Sequence, residues 1–192
     1  VKLSHPAVIG HSMGGTIGLM LAARHPLAIS RLMVVDMLPF MGAMFGPPGM
    51  PAELVRPIAD KILLQMRTAV GDDRIKQIEA VIRGMINNEA ERAAAVQDRL
   101  NSDTDLVARA FHELVVTDLR PELSRIIVPT TVLYALPNRG PFTPQQFDAL
   151  YRSAYADLKG ATLTRIPNSS HFIMLDAPER FASEVRHFLR PG

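Results

Sequence analysis

The stretch that decides the fold reads Ala7-Val-Ile-Gly-His-Ser-Met-Gly-Gly15. It contains the pattern Gly-x-Ser-x-Gly at residues 10–14, after an apolar run typical of a strand and before residues 13–25, which have the pattern of a helix. A serine hydroxyl is a poor nucleophile at neutral pH, so it must be presented on a sharp turn where an imidazole can accept its proton. This strand-turn-helix setting indicates that Ser12 is a nucleophile. The alternative is a glycine-rich turn with an incidental serine.

The neighbours of Ser12 have predicted roles of their own. The backbone N–H of Met13 begins the helix, where the helix dipole and unpaired donors favour an oxyanion on the substrate. His11 precedes the nucleophile and is predicted to line the substrate pocket. Four glycines are expected to keep the turn free of collisions or to let the helix lie close to the sheet, namely Gly10, Gly14, Gly15 and Gly18. Half of an oxyanion hole is thus predicted in this turn.

Strand and helix patterns alternate through much of the chain. Beyond the first strand at residues 7–9, apolar strands are predicted at residues 31–36, 130–135 and 161–166. Helices are predicted at residues 13–25, 144–158 and 178–189. Continuous apolar strands that alternate with helices are typical of a parallel sheet covered on both faces. The predicted fold class is therefore α/β, with three layers in the order helix, sheet, helix.

The pattern between residues 38 and 117 is helical, without strands. Apolar residues recur there at helical spacing in three stripes: Ile58, Ile62, Leu63 and Met66; Ile75, Ile78, Val81, Ile82 and Met85; and Leu106, Val107, Ala110, Phe111 and Leu114. Pro57 is expected in the first turn of the first of these helices. The predicted domains are a core of residues 1–37 and 118–192 and an all-helical insertion of residues 38–117.

Composition bounds the classes of partner and cofactor. The 192 residues carry 21 Lys and Arg against 19 Asp and Glu, without any basic run, so nucleic-acid binding is not expected. The chain has no cysteine, and its six histidines follow no metal-ligand spacing, so we predict no metal and no cofactor. No apolar run is long enough to span a membrane, and a cytoplasmic protein with a small-molecule partner is expected. The sequence does not indicate an oligomeric state.

A second motif follows the predicted strand at residues 161–166. It reads Ser170-His-Phe-Ile-Met-Leu-Asp-Ala-Pro-Glu179, after a turn at residues 167–170. A loop in this place reaches back over the carboxyl edge of the sheet, where ligands bind in open α/β sheets. His171 is therefore predicted to be the general base that accepts the Ser12 proton, and the adjacent Phe172 to line the substrate pocket.

The two motifs resemble the α/β-hydrolase family, and within it the esterase- and lipase-like serine hydrolases that carry a cap domain. Residues 9–15 are similar to the family's nucleophile elbow, and residues 170–179 to its catalytic-histidine segment. Residues 118–130 are similar to the family's return from the cap into the sheet. The resemblance covers nearly the whole chain, and it implies a cap formed by the helical insertion.

The resemblance also implies that earlier strands pair with the strand that leads to the nucleophile. The chain opens with Val-Lys-Leu rather than Met and reaches this strand at residue 7. An apolar strand left at a sheet edge promotes aggregation. We therefore expect this chain to be the C-terminal part of the enzyme, with the second oxyanion donor and any signal peptide upstream of Val1. On its own it is expected to be insoluble or to lack a cooperative melt.

The carboxylate that should orient the imidazole is not at the position that the resemblance implies. The loop at residues 136–144 contains no acid, and Asn138 stands where the family commonly has an aspartate. Asp36, at the end of the predicted second strand, is our first choice, although it could instead cap the connection that follows. Asp148 and Asp176 are weaker candidates, and the remaining alternative is an amide in place of the acid.

The segment at residues 37–50 is apolar and uncharged, with four methionines and two phenylalanines. Methionine adapts to irregular apolar shapes, so Met37, Phe40 and Met41 are predicted to wall a substrate pocket. The alternative is that they pack the hinge of the cap. The predicted function is hydrolysis of a small, largely apolar carboxylic ester through an acyl-enzyme. Lactone, thioester, amide and carbon–carbon bond hydrolysis stay open, as does a catalytically weak ligand-binding homologue.

Overall fold

A parallel sheet lies at the centre of the first of two units in the computed structural model of the chain. The residues that the structure describes are 3–46, 50–137 and 142–190. The first unit is made of Val1–Pro39 together with Leu119–Gly192, and the second is Phe40–Asp118. The chain enters the second unit after the second strand and leaves it before the third. The sheet is therefore assembled from two segments that are far apart in sequence.

The sheet has four strands in the order β1-β2-β3-β4, and every neighbouring pair is parallel. The strands are β1 (Ala7–His11), β2 (Arg31–Val35), β3 (Thr130–Tyr134) and β4 (Thr162–Arg165). Val34 of β2 pairs with Gly10 of β1 and with Val132 of β3, which fixes the register. Because all strands run in one direction, their carboxyl ends meet at one edge of the sheet.

Helices cover both faces of this sheet. The helices of the chain are α1 (Met13–Arg24), α2 (Ala52–Thr68), α3 (Gly71–Met85), α4 (Glu89–Asn101), α5 (Thr104–Val116), α6 (Pro144–Ala154), α7 (Ile173–Asp176) and α8 (Pro178–Phe188). Leu32 and Val34 of β2 lie under α1. Met33 and Val35 point to the other face, where they form a buried cluster with residues of α7 and α8. The predicted three-layer α/β class is confirmed.

Glycines in α1 set how closely this helix approaches the sheet. A Cβ atom on Gly18 would lie 2.7 Å from Leu32 Cδ1, and one on Gly15 would lie 2.9 Å from Val34 Cγ1. Both distances are shorter than real Cβ contacts, so a side chain at either position would require Leu32 or Val34 of β2, or the helix itself, to shift. Gly14 has open space at its Cβ position, so the packing role expected for it is wrong.

The second unit is helical. Within it α2 and α5 pack around a buried cluster of Phe40, Val55, Ala59 and Val115. The buried His112 of α5 donates its Nε2–H to Oδ1 of Asp60 on α2 at 2.8 Å, so a polar contact accompanies the apolar one. Across the described ranges, none of the helices combines the length and apolar character that a membrane span requires.

Two features of the second unit differ from the sequence expectations. None of the three apolar stripes found in the sequence falls in α4, because no side chain of this helix is buried. This helix depends on Ala, Glu and Arg, which favour helices, and on Asn88, whose side chain accepts the Ala90 N–H at 3.2 Å. Pro57 lies inside α2 rather than in its first turn, because α2 begins at Ala52, directly after the extended Pro51.

Candidate active site

Ser12 occupies a strained turn between β1 and α1. Its backbone has φ 55° and ψ −124°, a conformation that residues other than glycine rarely adopt. The Ser12 N–H donates to the carbonyl of Val35 at 2.9 Å, and the Ser12 carbonyl accepts from the Gly15 N–H at 2.8 Å. The turn is thus fixed to β2 on one side and to the first turn of α1 on the other. Strain that the surroundings maintain in this way is typical of functional sites.

Gly10 is required by the same turn. A Cβ atom at this position would collide with the carbonyl group of Gly14 and would lie 2.7 Å from the Gly15 nitrogen. These are backbone atoms of α1, so they have no rotamer with which to avoid the collision. The first glycine of the motif therefore allows the helix to begin directly above the strand, with Ser12 at its N-cap position.

Asp36 lies at the equivalent place on the next strand. It follows β2 directly and also has a positive φ, 49°. Its N–H donates to the carbonyl of Leu133 at 2.7 Å, and its Oδ1 accepts the backbone N–H of Ala135 at 2.9 Å. The side chain is only 13% exposed. Strand β3 therefore holds the backbone of Asp36, and Ala135, directly after β3, holds one of its carboxylate oxygens.

The second carboxylate oxygen of Asp36 accepts the Nδ1–H of His171 at 2.7 Å. This hydrogen bond assigns the His171 proton to Nδ1, which leaves Nε2 of the neutral ring as a proton acceptor. The loop before α7 is shaped by local bonds: the Ser169 hydroxyl donates to the Ile166 carbonyl at 2.9 Å, and the Ser170 N–H donates to Oδ2 of Asp176 at 2.8 Å. The structure thus brings together the predicted base and the first-choice acid, whose catalytic roles stay predictions.

Three rings lie side by side next to this pair. The centroid of the His11 ring is 4.7 Å from that of His171 and 4.9 Å from that of Phe172. The His11 Nε2–H donates to the backbone carbonyl of His171 at 2.9 Å. Burial first, and the positive charge of a protonated His171 second, lower the pKa of His11 below its ordinary value of 6.5. His11 is therefore a neutral hydrogen-bond donor at neutral pH.

Sequence reasoning missed the aromatic layer under Asp36. The Tyr151 hydroxyl of α6 lies 3.5 Å from Oδ1 of Asp36, and its ring stacks on Tyr134 with centroids 4.1 Å apart. Complete burial raises the pKa of Tyr151 well above its ordinary value, so the hydroxyl keeps its proton and can only donate to the carboxylate. The available signal was the spacing of Tyr151, on α6, and Tyr155, the residue that directly follows this helix, four positions apart.

The other acids that were considered have different partners. Oδ1 of Asp148 accepts the Tyr134 hydroxyl at 2.9 Å and the Arg165 Nε–H at 2.8 Å. Burial, followed by the hydrogen bond to Asp148, raises the pKa of Tyr134 to about 12. Asp176 accepts the Ser170 N–H, as described above. Asn138, the alternative position for an acid or amide, lies outside the described residues.

The predicted pocket residues fall into two groups. His11 and Phe172 contact the His171 ring. Met37, in contrast, is only 2% exposed and lies in the core of the first unit. Its Cβ would be 3.2 Å from a Cβ atom placed on Gly15. Phe40 belongs to the buried cluster of the second unit, and the partly buried Met41 packs against that cluster. The role of all five residues in binding substrate stays a prediction.

A metal site is not apparent at this edge of the sheet. Within residues 3–46, 50–137 and 142–190, no three His, Asp or Glu side chains are grouped so that they could hold a metal ion. At this edge the structure joins His171 to Asp36 by a hydrogen bond, and Ser12 directly follows the neighbouring strand β1.

Sequence comparisons identify relatives of this chain. A family model described as the alpha/beta hydrolase family matches residues 2–184. A curated relative, the sn-1-specific diacylglycerol lipase ABHD11 of Mus musculus, is 26% identical over 196 residues, which cover 95% of this chain and 58% of the relative. The chain therefore spans less than two thirds of the length of this relative.

Solved structures share the fold at low sequence identity. A hydrolase from Pseudomonas aeruginosa superposes with a TM-score of 0.76 at 20% identity, over 98% of this chain and 66% of that one. An enol-lactonase from Burkholderia xenovorans LB400 superposes with a TM-score of 0.74 at 22% identity, over 98% of this chain and 66% of that one. An esterase from Exiguobacterium antarcticum superposes with a TM-score of 0.76 at 20% identity, over 98% of this chain and 68% of that one. At these identities the likeness shows the fold alone.

Proposed function

Because this chain belongs to the alpha/beta hydrolase family, we propose that it carries the catalytic residues of a serine hydrolase. Ser12 is the nucleophile, His171 the general base and Asp36 the carboxylate that orients it. The observation that supports the proposal best is the 2.7 Å hydrogen bond from His171 Nδ1 to Asp36 Oδ2. It forms at the carboxyl edge of the sheet, where the strained turn of Ser12 also lies.

The proposed reaction proceeds through an acyl-enzyme. Ser12 Oγ attacks the carbonyl carbon of the substrate as its proton passes to Nε2 of His171, and Asp36 stabilises the resulting imidazolium. The Met13 N–H faces the oxyanion of the tetrahedral intermediate. The intermediate collapses as the leaving alkoxide takes the proton from Nε2. A water molecule, deprotonated by the same nitrogen, then attacks the acyl group, and a carboxylic acid leaves as Ser12 regains its proton.

The proposed substrate is a small, largely apolar carboxylic ester. The name of the curated relative supports this bond type, since a diacylglycerol lipase cleaves an acyl–oxygen bond. The rings of His11 and Phe172 beside His171 offer an apolar surface to an acyl or aryl group. On these grounds we favour acyl–oxygen hydrolysis over hydrolysis of thioesters, amides or carbon–carbon bonds. A cap function for the unit Phe40–Asp118 belongs to the same proposal.

The test is turnover of a short p-nitrophenyl ester by Ser12→Ala, with Ser30→Ala as the matched control. Ser30 is an exposed serine of the same unit, so its loss should leave kcat unchanged. Ser12→Ala should lower kcat by about 10⁵- to 10⁶-fold, because removal of the nucleophile disables the whole catalytic unit. Circular dichroism would check that both variants fold. Turnover at the wild-type rate in Ser12→Ala would exclude the proposed nucleophile.

A further inference from the structure

His11 connects the two segments that carry the proposed nucleophile and base. It lies at the end of β1, directly before Ser12, and its ring crosses to the loop that precedes α7. There its Nε2–H donates to the backbone carbonyl of His171 at 2.9 Å, across 160 positions of sequence. The contact is to the main chain of His171, whereas Asp36 binds the side chain of the same residue.

Resting on the function proposed above, we propose that His11 is a positioning residue that holds the His171 loop against the end of β1. Two other hydrogen bonds of this segment, from Ser169 to Ile166 and from Ser170 to Asp176, are local and set its internal shape. The bond from His11 instead fixes the distance between the loop and the strand that leads to Ser12. This distance decides whether Nε2 of His171 can reach the Ser12 hydroxyl.

The ring contacts support the same role. The His11 ring contacts the rings of both His171 and Phe172, with centroids 4.7 Å and 4.9 Å away, and the rings of His171 and Phe172 are nearly perpendicular to each other, at 89°. The titratable groups that act on His11 are His171 and Asp36. Because the pKa of His11 is lowered, the ring stays neutral, and its single proton is on Nε2 where the carbonyl needs it. A neutral neighbour also places no charge against the imidazolium of His171.

Two variants separate positioning from a pocket role. His11→Gln keeps an N–H donor at a similar reach, whereas His11→Phe keeps an apolar ring but has no donor. We expect His11→Phe to lower kcat by up to about 100-fold, with KM within about twofold, because a displacement of the base near 1 Å has an effect of this size. His11→Gln should recover most of kcat. Equal kcat in wild type and His11→Phe would overturn the proposal, and so would a rise in KM alone in both variants.

A second measurement does not depend on ester turnover. The ring proton on Nδ1 of His171 can be observed by NMR, since its hydrogen bond to Asp36 protects it from exchange with water. We expect this signal to persist in wild type and His11→Gln and to broaden or vanish in His11→Phe. A signal that is unchanged in His11→Phe contradicts the positioning role. If the wild-type chain neither hydrolyses esters nor reacts with a fluorophosphonate at Ser12, the proposed function fails. The NMR comparison would then still decide whether His11 holds the loop.

Discussion

Ser12 and Asp36 end two neighbouring strands in the same way. Each directly follows a strand, each has a positive φ although neither is glycine, and each donates its N–H to the next strand along the sheet. Ser12 bonds to Val35 of β2 and Asp36 bonds to Leu133 of β3. One backbone arrangement is thus used twice, and it turns two chemically different side chains toward one edge of the sheet.

The two strand ends differ in what supports their strain. At Ser12 the support is local and steric, because Gly10 has no side chain and so leaves room for the first turn of α1. At Asp36 it is remote and polar, since the carboxylate accepts the Ala135 N–H across 99 positions of sequence. A local support leaves a motif in the sequence, whereas a remote one does not. The difference explains why a sequence motif singled out Ser12, whereas no motif singled out Asp36.

The largest expected effect concerns the remote support. Asp36→Asn should lower kcat by up to about 10⁴-fold with little change in KM, because an amide cannot stabilise the imidazolium and favours the wrong tautomer of His171. Asp157→Asn, at an exposed acid of the same unit, is the control and should match wild type. Steady-state kinetics on an ester would measure both. Near-normal kcat in Asp36→Asn would mean that His171 is oriented by another group.

The next effect concerns the local support. Gly10→Ala should destabilise the fold by about 3 kcal/mol or more, because its methyl group meets backbone atoms that cannot move aside. Gly14→Ala is the matched control, since the Cβ position of Gly14 is open and alanine favours a helix over glycine by about 1 kcal/mol. Urea unfolding of both variants measures the free energies. Similar losses in the two would show that the steric account of the turn is wrong.

A smaller effect is expected under Asp36. Tyr151→Phe removes a hydroxyl that is 3.5 Å from Oδ1, while the 2.9 Å bond from Ala135 remains. A hydrogen bond contributes about 1 kcal/mol on average, and one of this length less, so kcat should fall by no more than about fivefold. The same kinetic assay measures it. A loss as large as that of Asp36→Asn would show that Tyr151, rather than β3, holds the carboxylate.

The smallest effect is a pH dependence of stability from His11. Its pKa is lowered in the folded state, so below pH 6.5 the unfolded chain binds more protons than the folded chain. The contribution of His11 to stability is therefore present above this pH and is lost as the pH falls through the folded pKa. Urea unfolding in mildly acidic and neutral buffers should show less loss in His11→Gln than in wild type. Equal losses would show that His11 is not the titrating group.

Prediction from sequence succeeded for segments whose own hydrophobic pattern specifies a strand or a helix. The four strands and helices α1, α6 and α8 were predicted from apolar runs that alternate with helical patterns, and the observed ends differ by a few residues at most, whereas the single turn of α7 was not predicted. The α/β class follows from the same alternation. Helix α4 could not be found in this way, because it buries no side chain and so lacks a stripe.

Side-chain partners at the site were harder to foresee. Asp36 could be selected only by position at a strand end, because its bonds to Ala135 and His171 join residues about a hundred positions apart. Tyr151 and the contact of His11 with the His171 carbonyl were missed for the same reason. Such contacts depend on register and helix rotation, which periodicity does not specify. Met37 and Phe40, which the sequence placed in a pocket, are buried, and their role in binding substrate stays a prediction.

Covalent labelling with a fluorophosphonate would show whether Ser12 is a nucleophile activated by His171 and Asp36. Peptide mass spectrometry would locate the adduct. We expect rapid labelling of the full chain on the peptide that contains Ser12, slower labelling in Asp36→Asn and none in Ser12→Ala. An adduct on a different serine would contradict this assignment of the nucleophile. A wild-type chain that stays unlabelled would contradict it too, and would be the behaviour of a ligand-binding homologue.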